Sequence, residues 1–249
     1  MPHRAPPAPH PTPAPDPVPQ WGDRRRTRIG ILGGSFNPAH EGHQHVARLA
    51  LQRLRLDQVW LLVSPGNPLK PSHGMASPEH RLASARSIAD GRRVVATSIE
   101  SRLHTRYTYD TLRVLRRRFP RVQFVWIMGA DNLVQLPRWQ HWTGIAATMP
   151  IAVMPRPTYN QRALAGQAAK RLRPHLLPAR TAPALAGARP PAWTFLPARQ
   201  NSASATAIRS QAQTDPTRAW PPAPLLATLP TFVKRPRLPF SRLLATTHS

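Results

Sequence analysis

Residues 29–43 read IGILGGSFNPAHEGH, and this stretch decides the fold. The apolar run at 29–32 is typical of a buried strand. After this stretch, one face of a helical pattern carries the apolar residues Val46, Leu49, Ala50 and Leu54. A strand, a glycine turn and a helix in this order are typical of the point where an open α/β sheet binds phosphate at a helix N-terminus.

Two pairs of residues in this turn indicate an anion site. Gly33 and Gly34 let the backbone approach an anion closely. His40 and His43, three residues apart, are expected on one side of the first helical turn, facing the same anion. The turn contains neither the Gly-Lys-Ser/Thr of a P-loop nor the G-x-G-x-x-G of a dinucleotide fold. An ordinary βα turn with stray histidines is the alternative, and the ordered motif after a strand favours the phosphate site.

Length and composition limit the class of protein. A chain of 249 residues can form one α/β domain with a sizeable core and is marginal for two. No stretch approaches 18 consecutive apolar residues, and the N-terminus lacks the apolar region of a secretory signal. The absence of cysteine excludes disulfides and thiolate metal sites. We therefore expect a cytoplasmic enzyme without a membrane partner.

The formal charge of +25 can be interpreted in two ways. It is typical of a protein that binds a polyanion such as nucleic acid. However, only Lys70, Lys170 and Lys234 are lysines, and alanine and proline are abundant, a bias typical of a GC-rich genome. Apart from residues 24–26 and 116–118, the arginines are dispersed. We favour compositional bias over a specific nucleic-acid site, although a basic surface still attracts nucleotides.

Composition divides the chain into three parts. Residues 1–26 are rich in proline and poor in large apolar side chains, so they predict a disordered tail. Residues 27–210 carry the strand and helix patterns and form the predicted domain. Residues 211–249 contain further prolines and predict a C-terminal extension that is partly helical or irregular.

Strand and helix patterns alternate along the domain. Ser77 and Pro78 are typical of the start of a helix, which we expect to run to about residue 90. Apolar runs predict strands at residues 59–63, 94–96, 124–128, 151–154 and 193–196, and further helices are predicted from 108 and over about 162–172. This alternation predicts an α/β fold: a doubly wound, mostly parallel, Rossmann-like sheet with helices on both faces.

Several polar or aromatic residues follow the predicted strands, where an open sheet binds its ligand. Each has an ordinary alternative: Lys70 as a solvated side chain, Asp131 as a helix cap, Trp139 and Trp142 as core residues. The segment SATAIR at 204–209 combines hydroxyls with an arginine, a pattern suited to phosphate but weak when taken alone.

Together these motifs resemble a known family. The first turn matches the G-G-[ST]-F-[DN]-P-x-H-x-G-H signature of the nucleotidylyltransferase superfamily. Over about residues 28–210 the chain resembles bacterial nicotinate-nucleotide adenylyltransferases. The resemblance implies that His40, His43 and Arg209 act on the phosphates in catalysis. It implies ATP binding by Gly33, Gly34, Ser35, Phe36, Lys70, Gly129, Asp131, Ser204 and Thr206, and acceptor binding by Asn67, Thr108 and Trp139.

The chain also departs from the family pattern. Leu69 stands where relatives often have histidine, although Lys70 keeps the base. Asn67 is the only candidate for the acceptor-contacting asparagine. Gln140 replaces a second aromatic residue found in some relatives, which predicts stacking on one side of the pyridine only.

The resemblance implies a reaction of ATP with nicotinate mononucleotide that gives deamido-NAD and pyrophosphate. ATP is a substrate, Mg²⁺ is held through phosphates, and no protein metal site is expected. The partners are small-molecule nucleotides. Pantetheine-phosphate adenylyltransferase is the nearest alternative, and a basic nucleic-acid-binding protein is the alternative from another class. The sequence leaves open the oligomeric state, with which a homo-oligomer is compatible, and the choice between nicotinate and nicotinamide mononucleotide.

Overall fold

One parallel sheet organises the chain in this computed structural model, which describes residues 15–66 and 75–198 together with Ala205. The strands are β1 (Arg28–Gly34), β2 (Gln58–Val63), β3 (Val94–Thr97), β4 (Gln123–Gly129), β5 (Ile151–Met154) and β6 (Trp193–Phe195). They lie in the order β3-β2-β1-β4-β5-β6, and each pairing is parallel. The predicted doubly wound α/β fold is confirmed.

Helices connect the strands. The α-helices are α1 (Glu41–Arg53), α2 (Pro78–Ser87), α3 (Ile99–Arg102), α4 (Thr108–Arg118), α5 (Ala130–Gln135), α6 (Trp142–Thr148), α7 (Asn160–Leu164) and α8 (Gln167–Leu172). Short 3₁₀ helices cover Leu136–Arg138, Arg173–His175 and Ala179–Gly187. Ser77 caps α2 as predicted: its side chain accepts a hydrogen bond from the backbone N–H of His80, and Pro78 is the first helical residue.

The sheet separates two hydrophobic cores. Successive strand residues point to opposite faces, so Ile31 lies in one core and Leu32 in the other. Leu112 of α4 packs in the first core, and Ala47 and Ala50 of α1 pack in the second. Helices therefore cover both faces, which is why these strands are continuous apolar runs.

Three helices differ in detail from the sequence-based expectation. Helix α2 ends at Ser87 rather than near residue 90. The helix expected over about 162–172 is two helices, because Gly166 takes an extended backbone conformation and caps α8. The buried face of α1 is centred on Ala47, Ala50 and Leu51, with the larger apolar residues at its flanks.

The described part of the proline-rich tail packs on the domain, so the prediction of disorder is wrong for residues 15–22, which we call the N-terminal strap. Val18 is 1% exposed and lies in the first core. The carboxylate of Asp16 accepts hydrogen bonds from Oγ1 of Thr97 at 2.8 Å and from the backbone N–H of Ser98 at 2.7 Å. It also pairs with Arg102 at 3.0 Å. Average composition conceals these single contacts, because one valine and one carboxylate provide them.

Further contacts attach the strap to helices α3 and α4. Arg102 donates to the carbonyl of Val18 at 2.6 Å, and the side chain of Gln20 donates to the carbonyl of Arg102 at 2.7 Å. Arg118 donates to the carbonyl of Gln20, and its guanidinium lies 5.4 Å from the ring centroid of Trp21. The strap therefore joins the end of β3 to α4.

Replacement of Asp16 tests this attachment. We expect Asp16→Ala to lower the free energy of unfolding by about 2–3 kcal/mol, at the low end for a broken buried ion pair because Arg102 keeps partial access to water. Asp23→Ala is the control, since among the described residues Asp23 forms its ion pair with nearby Arg25 at the surface. Urea unfolding of both variants measures the difference. Equal values for the two variants would contradict a docked strap.

Candidate active site

The site lies where β1 and β4 run side by side and end at the same edge of the sheet. Residues 35–40 connect β1 to α1 there. A Cβ built on Gly33 would lie 2.4 Å from the Trp126 ring, so packing against β4 requires glycine at this position. A Cβ on Gly34 would lie 3.3 Å from the Phe36 ring. The first glycine thus has a packing role that the anion argument did not include.

The side chain of Phe36 packs against His43. Its backbone has φ of 48°, a left-handed conformation that is uncommon for a side chain of this size. The turn directs the ring inward, where it is 1% exposed and lies 4.9 Å from the His43 ring between centroids. The loop therefore provides a rigid apolar support for His43.

His40 and His43 form a reciprocal cap at the start of α1. Nδ1 of His40, the N-cap residue, accepts from the backbone N–H of Gly42 at 3.1 Å. Nδ1 of His43 accepts from the backbone N–H of His40 at 3.3 Å. The ring centroids are 4.0 Å apart. The structure thus brings the two predicted histidines together in a capping box, in which imidazoles replace the usual hydroxyl and carboxylate.

This cap determines which nitrogen of each ring carries the proton. An accepting Nδ1 has no hydrogen, so the remaining N–H of each imidazole is on Nε2. Burial, together with the positive charge of Arg156, lowers the pKa of His40 from 6.5 to about 4. His40 is therefore a neutral donor near neutral pH.

Gly129, Asp131 and Arg156 lie together at the ends of β4 and β5. Asp131 is in the first turn of α5, and Gly129 rather than Asp131 is the N-cap, so the alternative of a capping aspartate is wrong. Oδ1 of Asp131 is buried and accepts no hydrogen bond from the described residues, while Nε of Arg156 lies 3.6 Å away. A buried carboxylate oxygen of this kind can accept a hydrogen bond from a hydroxyl group of a ligand.

The two predicted acceptor residues lie on elements that pack together. Thr108 begins α4, and Trp139 directly follows a 3₁₀ turn before α6. The ring of Tyr109 lies 5.1 Å from that of His141, which holds the start of α4 against α6. Trp139 is partly buried and packs on the first core. Its position is therefore compatible both with a core residue and with an aromatic ring that a ligand can reach.

Comparison with known proteins identifies the family. The profile of the cytidylyltransferase-like family matches residues 31–211. A protein of Gluconacetobacter diazotrophicus named "Probable nicotinate-nucleotide adenylyltransferase" is 60% identical over 195 residues, which cover 78% of this chain and 91% of that protein. One of the same name from Gluconobacter oxydans is 60% identical over 189 residues, or 76% and 97% of the two chains. The chain belongs to the nicotinate-nucleotide adenylyltransferase family.

A solved structure agrees with this fold. The nicotinic acid mononucleotide adenylyltransferase of Plasmodium falciparum, complexed with NaAD, superposes with a TM-score of 0.56 and 16% identity. The match covers 74% of this chain and 83% of that one. At this identity the likeness concerns the fold alone.

Five of the residues that the family pattern implies lie outside the described parts of this adenylyltransferase chain. They are Asn67 and Lys70 after β2, and Ser204, Thr206 and Arg209 near the C-terminal end of the domain. Their roles stay predictions. Within residues 15–66 and 75–198, no group of three or more histidine or acidic side chains is arranged to hold a metal ion, and no helix is long and apolar enough to cross a membrane.

Three residues of this region were not predicted from the sequence. Arg156 follows β5 at the edge of the sheet where ligands bind. The rule that ligand-binding residues follow the strands, which identified Asp131, could also have identified Arg156. Arg81 is buried on α2, where nothing in the sequence distinguishes it from the many other arginines. Glu100 is buried beneath the loop that precedes α4, and only the tertiary structure shows its partners.

Glu100 forms a hydrogen-bonded network with two threonines near the start of α4. Oγ1 of Thr111 donates to a carboxyl oxygen of Glu100 at 2.8 Å, and the hydroxyls of Thr105 and Thr111 are 2.8 Å apart. Burial raises the pKa of Glu100 from 4.5 to about 7, an effect that its hydrogen bond to Thr111 partly opposes. The folded protein therefore keeps this carboxyl protonated in a pH range where the unfolded chain loses the proton.

The resulting pH dependence can be measured with Glu100→Gln. The contribution of the neutral carboxyl is complete below pH 4.5 and is lost as the pH rises through about 7. Relative to wild type, Glu100→Gln should therefore gain stability from acidic to mildly alkaline pH, by on the order of 3 kcal/mol in total. Thermal unfolding across this range, with the surface variant Asp23→Asn as control, tests the sign. A constant difference between wild type and Glu100→Gln would contradict a neutral buried carboxyl.

Proposed function

We propose that this chain transfers AMP from ATP to nicotinate mononucleotide, giving deamido-NAD and pyrophosphate in NAD biosynthesis. The observation that carries the proposal is the His40–His43 pair, whose two Nε2–H donors stand at a phosphate-binding helix N-terminus. High identity to relatives named for this activity supports the choice of substrate class. Because the reaction consumes ATP, the proposal includes a cytoplasmic location.

The proposed chemistry is an in-line displacement at phosphorus. An anionic oxygen of the acceptor's phosphate forms a bond to the α-phosphorus of ATP, while the bond from this phosphorus to the β-phosphate oxygen breaks. Pyrophosphate leaves with that electron pair. Because the nucleophile is already anionic, neither a general base nor a covalent intermediate is required, and catalysis rests on positioning and electrostatics.

The neutral imidazole of His40 suits this electrostatic role. Each Nε2–H can donate to a phosphate oxygen whose charge increases in the transition state. His40 needs no proton exchange with solvent for this, because its low pKa keeps a single, fixed N–H. Arg156 adds positive charge near His40. The site therefore favours a polyanionic nucleotide without relying on protonation of His40.

The remaining roles follow the family pattern and the geometry. Asp131, with its buried acceptor oxygen, is proposed to bind ribose hydroxyls of ATP near Gly129. Thr108 and Trp139 are proposed to contact the carboxylate and ring of the pyridine. Ser35 and Phe36 are proposed to bind ATP as part of the turn that follows β1.

The residues beyond the described ranges take the roles implied by the family. Ser204, Thr206 and Arg209 are proposed to act on the β- and γ-phosphates, with Lys70 as a further phosphate ligand and Asn67 as an acceptor ligand. The donor set of the described residues does not fit a protein-held Mg²⁺. The proposal is that Mg²⁺ enters with ATP on phosphate oxygens and water, and no step above passes through it.

One assay tests the function directly. Pyrophosphate release is measured with ATP and, in turn, nicotinate mononucleotide, nicotinamide mononucleotide and phosphopantetheine. Release with nicotinate mononucleotide well above the other two supports the proposal. Preference for phosphopantetheine would indicate a different member of the superfamily, and release with none would refute an adenylyltransferase acting on these acceptors.

Variants without the imidazoles test the histidine pair. His40→Ala and His43→Ala each remove the Nε2–H donor together with the capping acceptor, so the melting temperature of each variant is measured beside its rate. We expect turnover to fall about a hundredfold or more, since such a donor is worth roughly 3–4 kcal/mol in the transition state. Steady-state rates and melting temperatures are compared with the exposed-residue control His175→Ala. A variant that keeps over half of the wild-type turnover would exclude its histidine from phosphate binding.

Two further variants test recognition of the acceptor. Trp139→Ala should raise KM for nicotinate mononucleotide tenfold or more and KM for ATP much less, because stacking adds about 0.5–1.5 kcal/mol to the lost contact area. The control is Trp21→Ala, which removes an exposed tryptophan of the strap. Thr108→Val should reduce the preference for nicotinate over nicotinamide mononucleotide, since it removes a donor to the carboxylate. Equal rises in both KM values would make Trp139 a core residue only, and an unchanged acceptor ratio would assign discrimination to groups other than Thr108.

A further inference from the structure

Helix α2 packs on the nucleotide loop through polar side chains. Its buried residues are Arg81, Ser84 and Ala85, and Arg81 is 1% exposed. A helix that only filled space would bury an apolar stripe on this face. The buried polar face indicates that α2 makes specific hydrogen bonds to the segments beneath it.

The guanidinium of Arg81 joins three segments of backbone. Nη1 donates to the carbonyls of Ser64 at 2.6 Å and Ser35 at 3.2 Å. Nη2 donates to the carbonyl of Pro65 at 3.1 Å, and Nε donates to the carbonyl of Ala76 at 3.0 Å. Ser35 belongs to the loop after β1, and Ser64 and Pro65 to the loop after β2. One side chain therefore holds both loops and the start of α2 in a single arrangement.

Burial of the Arg81 guanidinium requires that its N–H groups keep their hydrogen bonds. A guanidinium removed from water is costly unless its N–H groups are hydrogen-bonded. Among residues 15–66 and 75–198 its acceptors are carbonyl oxygens, and no carboxylate forms an ion pair with it. Burial lowers the pKa of Arg81, and the charge of Glu79 opposes this only in part. The planar fork of arginine matches several carbonyls at once, which a lysine ammonium cannot do with the same geometry. The carbonyls must therefore keep their directions.

Two more hydrogen bonds extend this hold to His40. Oγ of Ser84 accepts from the backbone N–H of Ala39 at 2.8 Å, in a buried contact. The side-chain oxygen of Asn37 accepts from the backbone N–H of Ala76 at 3.1 Å. Ala39 immediately precedes His40. The loop from Ser35 to Ala39 is thus attached to α2 at its beginning and its end, and at its middle to Ala76, which precedes the cap of this helix.

We propose that Arg81, assisted by Ser84, is a positioning residue for nucleotide binding, which holds the loop 35–39 so that His40 presents its Nε2–H to the triphosphate. The identity of the nucleotide as ATP rests on the proposed function. Arg81 touches no substrate in this proposal. It acts through the carbonyls of the two loops. Its loss therefore disturbs the geometry of the phosphate site more than it disturbs the overall fold.

The experiment measures ATP binding by titration calorimetry, without an acceptor, well below the melting temperature of each variant. Arg81→Met keeps the length of the side chain and removes all its donors, and we expect the Kd for ATP to rise tenfold or more. Arg81→Lys keeps the charge but not the fork and should bind ATP nearly as weakly as Arg81→Met. Ser84→Ala removes a single hydrogen bond and should raise Kd about threefold or more, so it provides a test if the arginine variants fold poorly.

Two controls separate positioning from stability. Arg93→Met also removes a guanidinium, which donates to the carbonyl of Leu56 at 3.0 Å. Arg93 precedes β3, so it lies at the end of the sheet away from the nucleotide loop. Ile29→Val lowers core stability at the start of β1, away from the loop. Both should bind ATP as wild type does. Hydrogen exchange of the peptide that contains residues 35–40 should increase in Arg81→Met and not in Ile29→Val.

The outcomes are distinct. An Arg81→Met protein that melts lower but binds ATP with the wild-type Kd and exchange rate would make Arg81 merely structural and overturn the inference. Full binding by Arg81→Lys would show that charge, not the geometry of the fork, is sufficient, and would also overturn it. If wild type binds ATP but forms no deamido-NAD, the proposed function fails while the role of Arg81 in nucleotide binding stands. A wild type that binds no ATP refutes both.

Discussion

The site depends on one constraint: the central strand β1 must leave the sheet and return as helix α1 within residues 35–40. β1 is paired on both sides, so it cannot shift to accommodate a different loop. The turn is made possible by the left-handed backbone of Phe36 and by the close packing of Gly33 against Trp126. The capping box of His40 and His43 then begins helix α1. The same hydrogen bonds that start α1 thereby orient the two Nε2–H donors.

Charge is distributed in a way that suits an anionic ligand. The chain has 35 basic and ten acidic residues, and the two acidic side chains most deeply built into the described fold serve structure rather than the ligand. Asp16 binds the end of β3 and Arg102, and Glu100 is buried under α4. Near His40, the nearby charge that affects its pKa is the guanidinium of Arg156. The low pKa of His40 and the nearby positive charge of Arg156 therefore support the proposed binding of phosphate oxygens.

Much of the architecture could be predicted because it depends on local pattern. Strands covered on both faces are continuous apolar runs, and these predicted β2, β4 and β5 to within a residue or two. Ser77 and Pro78 marked the start of α2 because capping is a property of adjacent residues. The pairing of His40 and His43 was also predictable, since their spacing and the helix geometry suffice to bring them together.

Other features escaped prediction because their partners are distant along the chain. The strap binds residues more than 80 positions away, and a composition average cannot detect a single buried valine or a single capping carboxylate. Arg81 reaches carbonyls 16 to 46 residues away. Its helix lacks the apolar stripe by which a buried face is recognised in sequence.

The sequence by itself determined the succession of strands and helices along the chain, the glycine turn with His40 and His43, and the family, because each is encoded by residues that are near neighbours in the chain. Only the tertiary structure decided which nitrogen of each histidine donates, that His40 is neutral, and which of 35 basic residues stand at the site. These properties arise from burial and from hydrogen bonds between segments that the sheet brings together. A burial cost or a carbonyl direction exists only once the chain has folded.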